Sequence, residues 1–165
     1  MKRFLDVALS LLALVVLIPF LLPVVVILRF TGEGEVFYIQ ERAGQGGDPF
    51  GLYKFATMLK NSPNIGAGEI TVRGDPRVLP FGKFLRKTKL NELPQLWNVF
   101  IGDMSVVGPR PMVLNTYAHY PEEARQKLNT IRPGLTGIGS IVFRDEESYL
   151  ANRDQPMEFY IEHII

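Results

Sequence analysis

Apolar residues are concentrated at the start of the chain, where no charged residue occurs from Val7 to Leu28. About 20 apolar residues in a helix span a bilayer core. A cleaved signal peptide is disfavoured, because the block is long and no small-x-small site follows it. A straight spanning helix and a re-entrant helix that enters and leaves on one face both remain open. Pro19 and Pro23 within the block, with bases flanking both ends, favour a kinked, re-entrant helix over residues 4–28.

The pattern beyond this block predicts short elements. Residues 35–59 form two runs rich in Val, Ile, Phe and Tyr around the turn residues 44–49, which is typical of a β-hairpin. Gly, Pro and Asn indicate a loop over 60–79. An apolar stripe predicts a short amphipathic helix over 80–89, and Pro121 begins another over 121–130. The glycines of 131–140 predict a turn in which backbone comes close to a ligand.

Residues 90–101 also show helical periodicity. Pro94 suits a first helical turn, so we expect the helix to begin near Asn91, capped by Asn91 or a close neighbour. The positive end of its dipole favours an anion, phosphate above all. The predicted apolar face comprises Leu90, Leu93, Trp97 and Ile101, and the polar face comprises Asn91, Glu92, Gln95 and Asn98.

Composition narrows the classes of function. The chain has 165 residues, a formal charge of +1 and no cysteine, which excludes a disulfide framework and a thiolate metal site. The overall charge balance does not indicate nucleic-acid binding. We expect two parts: a membrane helix over 1–30 and an α+β domain over 31–165, with a small antiparallel hairpin and short interfacial helices.

Positive charge is concentrated between residues 73 and 89, which hold six bases and one acid. Bases beside the aromatic residues of the 80–89 helix are typical of membrane-surface binding. An ordinary surface helix packed on the core is the alternative. Arg86 lies in this run, and Arg110 follows between two prolines. With the carboxylate of Glu92 between them, these bases indicate phosphate chemistry.

Three motifs in this stretch give a family resemblance: LPQLWNV at 93–99, GDMS at 102–105 and GPRP at 108–111. The chain resembles the monotopic phosphoglycosyl transferases, bacterial membrane enzymes that begin glycan and exopolysaccharide assembly on polyprenyl phosphate. The resemblance implies a re-entrant helix and a domain on the cytoplasmic face of the inner membrane. It implies transfer of a phospho-sugar from a UDP-sugar to polyprenyl (undecaprenyl) phosphate, with Mg²⁺ as cofactor. Membrane lipid and downstream glycosyltransferases are the further expected partners, and nucleic acid is not.

The resemblance also assigns roles to residues. Asn91 and Glu92 stand at the catalytic pair, and Glu92 is expected to act as general base or to bind the metal. From the family positions we expect arginine and lysine side chains to bind the substrate, and we expect one acidic residue among them. The expected substrate-binding residues are Lys54, Arg86, Asp103, Arg110 and Arg132.

Two positions depart from the family pattern, in which Asn91 would be an aspartate nucleophile and Ala56 an arginine. A carboxamide forms no acyl phosphate, so three explanations are open: a natural branch with altered chemistry, an engineered inactive variant, or binding without turnover. The alternative function is therefore a catalytically silent protein of the same fold that binds nucleotide sugar, polyprenyl phosphate or a partner enzyme. Family members usually continue beyond the last predicted helix, FYIEHII at 159–165, which leaves open whether the C-terminus is complete.

Overall fold

The computed structural model describes residues 1–65, 71 and 74–142. Short helices surround two small sheets, which is the expected α+β class. The elements in chain order are α1 (Lys2–Phe30), β1 (Phe37–Ala43), β2 (Pro49–Phe55), α2 (Pro80–Lys87), α3 (Gln95–Ile101), β3 (Ser105–Val107), α4 (Leu114–Ala118), α5 (Glu122–Asn129), β4 (Gly134–Thr136) and α6 (Ile138–Val142). The predicted helix at 159–165 lies outside the described residues.

Helix α1 is long and apolar enough to cross a membrane, with a mean hydropathy of 3.2 in its most apolar window. Its buried residues are confined to its two ends: Asp6 and Ser10 near the start, Val24 and Leu28 near the finish. Both ends pack against the same α+β domain, whereas no residue from 11 to 23 is buried. Apolar side chains exposed over such a stretch mark a surface for contact with a membrane or another protein.

The predicted β-hairpin is confirmed. Strands β1 and β2 pair antiparallel, and the register places Tyr38 opposite Lys54 and Arg42 opposite Phe50. One face of the hairpin contributes Phe55 to an apolar cluster with Val24, Leu28 and Leu85, which joins the end of α1 to α2. The hairpin thereby connects the membrane helix to the rest of the domain.

The predicted helices at 80–89 and 121–130 are confirmed as α2 and α5, but the α3 prediction is wrong in two respects. Asn91 lies in a separate 3-10 turn, Leu90–Glu92, and α3 begins only after Pro94. Half of the predicted apolar face is also exposed: Trp97 is 45% and Ile101 47% exposed, whereas the predicted polar residues Gln95 and Asn98 are buried. Leu90 and Leu93 are half-buried. Polar residues turn inward here because Asn98 makes three hydrogen bonds inside the domain.

A second, parallel sheet, which the sequence did not predict, joins the GPRP segment to residues 133–137. Strands β3 and β4 pair in parallel, and their backbones pass so closely that a Cβ on Gly134 would lie 2.1 Å from Gly108 N. A Cβ on Gly137 would lie 2.2 Å from Gly108 O. Gly134 and Gly137 are therefore needed for contact with the protein's own backbone, which corrects the expectation of a turn shaped for a ligand alone.

The loop after the hairpin contains a buried ion pair. Arg77 Nη2 lies 2.6 Å from Asp75 Oδ2, and both side chains are almost fully buried. Arg77 also donates to the carbonyl oxygens of Ser62 and Ile65. It is therefore a structural residue, not one of the bases available to a membrane surface or a phosphate.

The packing of both helix ends on one domain predicts that they lie on the same side of the membrane. Single cysteines at Lys2 and Thr31, introduced into this cysteine-free chain, should react with an impermeant maleimide from the same side in sealed vesicles. A cysteine at Val16, which is 54% exposed in the middle of α1, is the control and should stay unlabelled inside lipid. Labelling of positions 2 and 31 from opposite sides would establish a spanning helix instead.

Candidate phosphate-binding active site

A cleft of about 210 Å³ opens between the hairpin, the turn before α3 and the GPRP segment. Four cations and one carboxylate are among the side chains that line it. These are Arg42, Lys54, Lys89, Arg110 and Glu92, and the remaining lining residues are Leu52, Gln95, Pro111, Gly134 and Leu135. Such an excess of positive charge in a concave site attracts a polyanion.

Lys54 projects into the cleft from β2. Burial, and next the charge of Arg42, lower the pKa of its ammonium group from 10.5 to about 7, while Glu92 opposes the shift. Arg110 and Arg86 add smaller effects in the same direction as Arg42. An ammonium with this pKa gains a large stabilisation when an anion enters and offsets the positive charge around it.

Arg42 is a cleft residue that the sequence analysis missed. Its guanidinium donates to Pro111 O at 3.1 Å and to Gln40 Oε1 at 2.5 Å, which ties β1 to the GPRP segment. The register of the hairpin identifies Arg42 as a cleft residue, because Arg42 lies on the same face of the hairpin as Leu52 and Lys54. Lys89 and Gln95 were likewise not predicted as site residues.

Glu92 is the one acidic residue that lines the cleft in the part of the chain described by the structure. It ends the 3-10 turn that begins after Lys89, whose φ of 60° is the left-handed conformation that non-glycine residues rarely adopt. Backbone strain of this kind costs about 1–3 kcal/mol and often marks a functional site. The turn places Glu92 at the cleft and Lys89 beside it.

Asn91 is buried behind Glu92 and does not line the cleft. It is only 6% exposed, and its Oδ1 has no hydrogen-bond partner among the described residues. An unsatisfied buried oxygen costs about 1–3 kcal/mol, so this position favours an additional donor or cation.

The other predicted site residues differ in their placement. Arg110 lines the cleft, and Arg86 lies close enough for its charge to affect Lys54. Arg132 does not line the cleft, although its neighbour Gly134 does. Asp103 accepts a hydrogen bond from Asn98 Nδ2 at 3.0 Å and also lies outside the cleft lining. The geometry thus gives Asp103 a structural contact with Asn98.

The residues of the cleft fit a magnesium ion that is held partly by substrate. Within the described ranges no group of three acidic, histidine or cysteine side chains could form a cage. Mg²⁺ is usually bound by one or two carboxylates together with substrate phosphates. Glu92 supplies a carboxylate to the cleft, whereas Asn91 Oδ1, on the neighbouring residue, is buried outside the cleft lining without a partner among the described residues.

Comparison with known sequences identifies the family. The sequence model of the family described as bacterial sugar transferase matches residues 1–164. The chain belongs to this family. The match extends over the membrane helix as well as the cleft, so the two parts together are the family's characteristic unit.

Three relatives show the range of proteins in this family. The exopolysaccharide production protein ExoY of Sinorhizobium fredii is 39% identical over an alignment of 162 positions that covers 90% of this chain and 71% of that protein. The UDP-N-acetylgalactosamine-undecaprenyl-phosphate N-acetylgalactosaminephosphotransferase of Aeromonas hydrophila is 34% identical over 98% of this chain and 37% of its own length. The UDP-glucose:undecaprenyl-phosphate glucose-1-phosphate transferase of Xanthomonas campestris is 32% identical over 99% of this chain and 34% of its own length. The chain thus spans about a third of the two transferases.

The environment of Lys54 predicts pH-dependent binding of UDP. The pKa of Lys54 is lowered to about 7, so Lys54 loses its proton as pH rises through 7, and bound diphosphate favours the protonated form. The dissociation constant should therefore rise above pH 7, by at most about tenfold per pH unit for one linked proton. Calorimetric titrations at several pH values measure this.

The matched control is Lys54→Arg, whose guanidinium stays charged throughout. Its dissociation constant should follow only the titration of UDP itself. If the unmodified protein and the arginine variant show the same pH profile, Lys54 does not contact the phosphates.

Proposed function

We propose that this protein transfers a phospho-sugar from a UDP-sugar to polyprenyl phosphate, the first membrane step in the assembly of a glycan or exopolysaccharide. The observation that carries the proposal is the cleft, in which four cations surround the single carboxylate of Glu92. The names of the relatives support both substrates, because two of them act on a UDP-sugar and undecaprenyl phosphate.

The cations of the cleft provide the binding of the diphosphate. Arg42 and Arg110 present planar guanidinium groups, which match phosphate oxygens in pairs. Lys54 adds a compact charge that is fully protonated once the anion is bound. These fixed charges also stabilise the charge that develops on the leaving phosphate, and they need no rearrangement during the reaction.

Glu92 is the proposed nucleophile, because Asn91 cannot form an acyl phosphate. A Glu92 oxygen attacks the β-phosphorus of the UDP-sugar, and the bond from that phosphorus to the bridging oxygen breaks. UMP leaves with the bonding electrons, and the phospho-sugar remains on Glu92. An oxygen of polyprenyl phosphate then attacks the same phosphorus and releases the carboxylate with polyprenyl diphospho-sugar as product. Two such displacements replace one harder displacement.

Mg²⁺ is the proposed cofactor. Glu92 would hold the ion, whose chemistry is to screen the charge of the diphosphate. Asn91 keeps an oxygen at this position without its own negative charge.

The proposed location is the cytoplasmic face of the bacterial inner membrane, with α1 as a re-entrant anchor. Both ends of α1 pack on the domain, so the cleft and the lipid surface belong to one rigid arrangement. A polyprenyl phosphate carries its phosphate at the headgroup level, where the basic residues Lys83, Lys87 and Lys89 are exposed. Downstream glycosyltransferases are the proposed users of the product.

The mechanism predicts different effects for the two residues of the pair. Glu92→Gln should abolish UMP release from a panel of UDP-sugars in the presence of polyprenyl phosphate and Mg²⁺, because it removes the carboxylate of the cleft without changing its size. Intact mass measurement of the unmodified protein with UDP-sugar should show an added phospho-sugar that the glutamine variant lacks. Full activity in Glu92→Gln would show that Glu92 is not the nucleophile.

Asn91→Asp, which changes the other residue of the pair, is the matched control for Glu92→Gln. Because position 91 is buried, the new carboxylate should lower the melting temperature in metal-free buffer, and Mg²⁺ should restore it. Binding of UDP-sugar without UMP release, by both the unmodified protein and Asn91→Asp, would instead support the catalytically silent function.

A further inference from the structure

The first two turns of α1 carry charged residues that bind the domain, although a membrane anchor would need none of them. Arg3 Nη1 donates to Val99 O at 2.6 Å, and Arg3 Nη2 donates to Phe100 O at 2.7 Å. These carbonyls end α3, where a cation is favoured by the helix dipole. Lys2 Nζ donates to Val107 O at 3.1 Å.

Asp6 contacts the domain through both of its carboxylate oxygens. Its side chain is 4% exposed, and both carboxylate oxygens accept from Ser105 Oγ, at 3.0 and 2.9 Å. Val106 N–H donates to Asp6 Oδ1 at 2.9 Å. A buried carboxylate is costly unless it is hydrogen-bonded, so Asp6 and the Ser105–Val106 backbone hold each other in one arrangement.

The segment that these residues hold leads directly into the cleft. Strand β3, which contains Ser105, continues into the GPRP motif, and Arg110 follows Val107 by three residues. Gly134 N–H donates to Pro109 O at 2.8 Å, and Gly108 N–H donates to Thr136 O at 2.9 Å. Because Gly108 and Gly134 leave no room for even a Cβ, a shift of β3 is transmitted to Arg110.

We propose that Lys2, Arg3 and Asp6 form an N-terminal clamp that positions Arg110 in the cleft through the segment 99–107. The membrane helix therefore sets the geometry of the phosphate site in addition to anchoring the protein. Asp6 is a positioning residue, since it touches no residue of the cleft itself. The role of Arg110 as a phosphate contact rests on the proposed function. The clamp itself is tested below by ligand binding, without turnover.

The two ends of α1 differ in a way that supports this role. At the far end, Arg29 donates only to Gly34 O, five residues along the chain, and packing there depends on Val24 and Leu28. Apolar packing tolerates small shifts, whereas buried charge-assisted hydrogen bonds specify one geometry. The polar end is the one that contacts the segment leading to Arg110.

The test uses the full chain in lipid nanodiscs. The variants Asp6→Asn and Ser105→Ala each remove hydrogen bonds of the clamp. Ser10→Ala is the matched control, because Ser10 is also fully buried in α1 but its hydroxyl donates only to Val7 O within the helix. UDP and uridine affinities are measured for each protein, together with amide hydrogen exchange over residues 106–110.

The clamp predicts that Asp6→Asn and Ser105→Ala weaken UDP by about tenfold, as expected when a charged contact is misplaced, while uridine affinity stays the same. Exchange over 106–110 should accelerate in both variants and not in Ser10→Ala. A fold loosened in general would weaken both ligands alike, and that result would overturn the proposal. Unchanged UDP affinity and exchange in both variants would overturn it as well.

The outcome also separates this proposal from the proposed function. If the unmodified protein binds UDP and releases no UMP from any UDP-sugar, the proposed function fails, whereas the comparison of UDP with uridine still decides the clamp. A tenfold loss of UDP affinity confined to the clamp variants would support it in that case too.

Discussion

The side chain of Asn98 joins the hairpin, which lines the cleft, to helix α3 and the GDMS turn, which are next in sequence to the other two segments that form it. It is fully buried, accepts from Tyr53 N–H at 3.0 Å, and donates to Gly51 O at 2.7 Å and to Asp103 Oδ2 at 3.0 Å. The hairpin, helix α3 and the GDMS turn therefore meet at one amide group. A buried amide that loses its hydrogen-bond partners costs more free energy than it contributes when the partners are present. The position of each part therefore depends on the other two.

This arrangement lets the domain hold cations together without an equal number of carboxylates. Arg42 and Lys54 come from the hairpin, Glu92 from the turn before α3, and Arg110 from the segment after GDMS. Bringing them together is unfavourable in the free protein, because like charges repel; burial first, and the charge of Arg42 next, lower the pKa of Lys54. A bound diphosphate relieves that repulsion, so the electrostatic cost of the empty cleft becomes affinity for the substrate.

Local patterns in the sequence predicted most of the helices and strands. The features that were not predicted depend on contacts between segments far apart in sequence. Alternation and turn residues gave the hairpin and Lys54, and the motifs gave Glu92 and Arg110. The face of α3 was predicted wrongly, because periodicity cannot show that Asn98 has partners on another element. The parallel pairing of β3 with β4 and the place of Arg42 depend on segments far apart in sequence. Trp97 and Ile101 are apolar side chains exposed on the surface of the domain, which is consistent with contact between this surface and a membrane.

The central claim is that the cleft transfers a phospho-sugar rather than a sugar. The most direct measurement uses UDP-glucose and UDP-N-acetylgalactosamine, each carrying radioactive phosphorus in the β-phosphate, incubated with the protein in nanodiscs that contain undecaprenyl phosphate. The account predicts that the label from at least one donor enters the lipid fraction as a diphosphate and that unlabelled UMP remains in water. Label that remains in the nucleotide while sugar enters the lipid would contradict it.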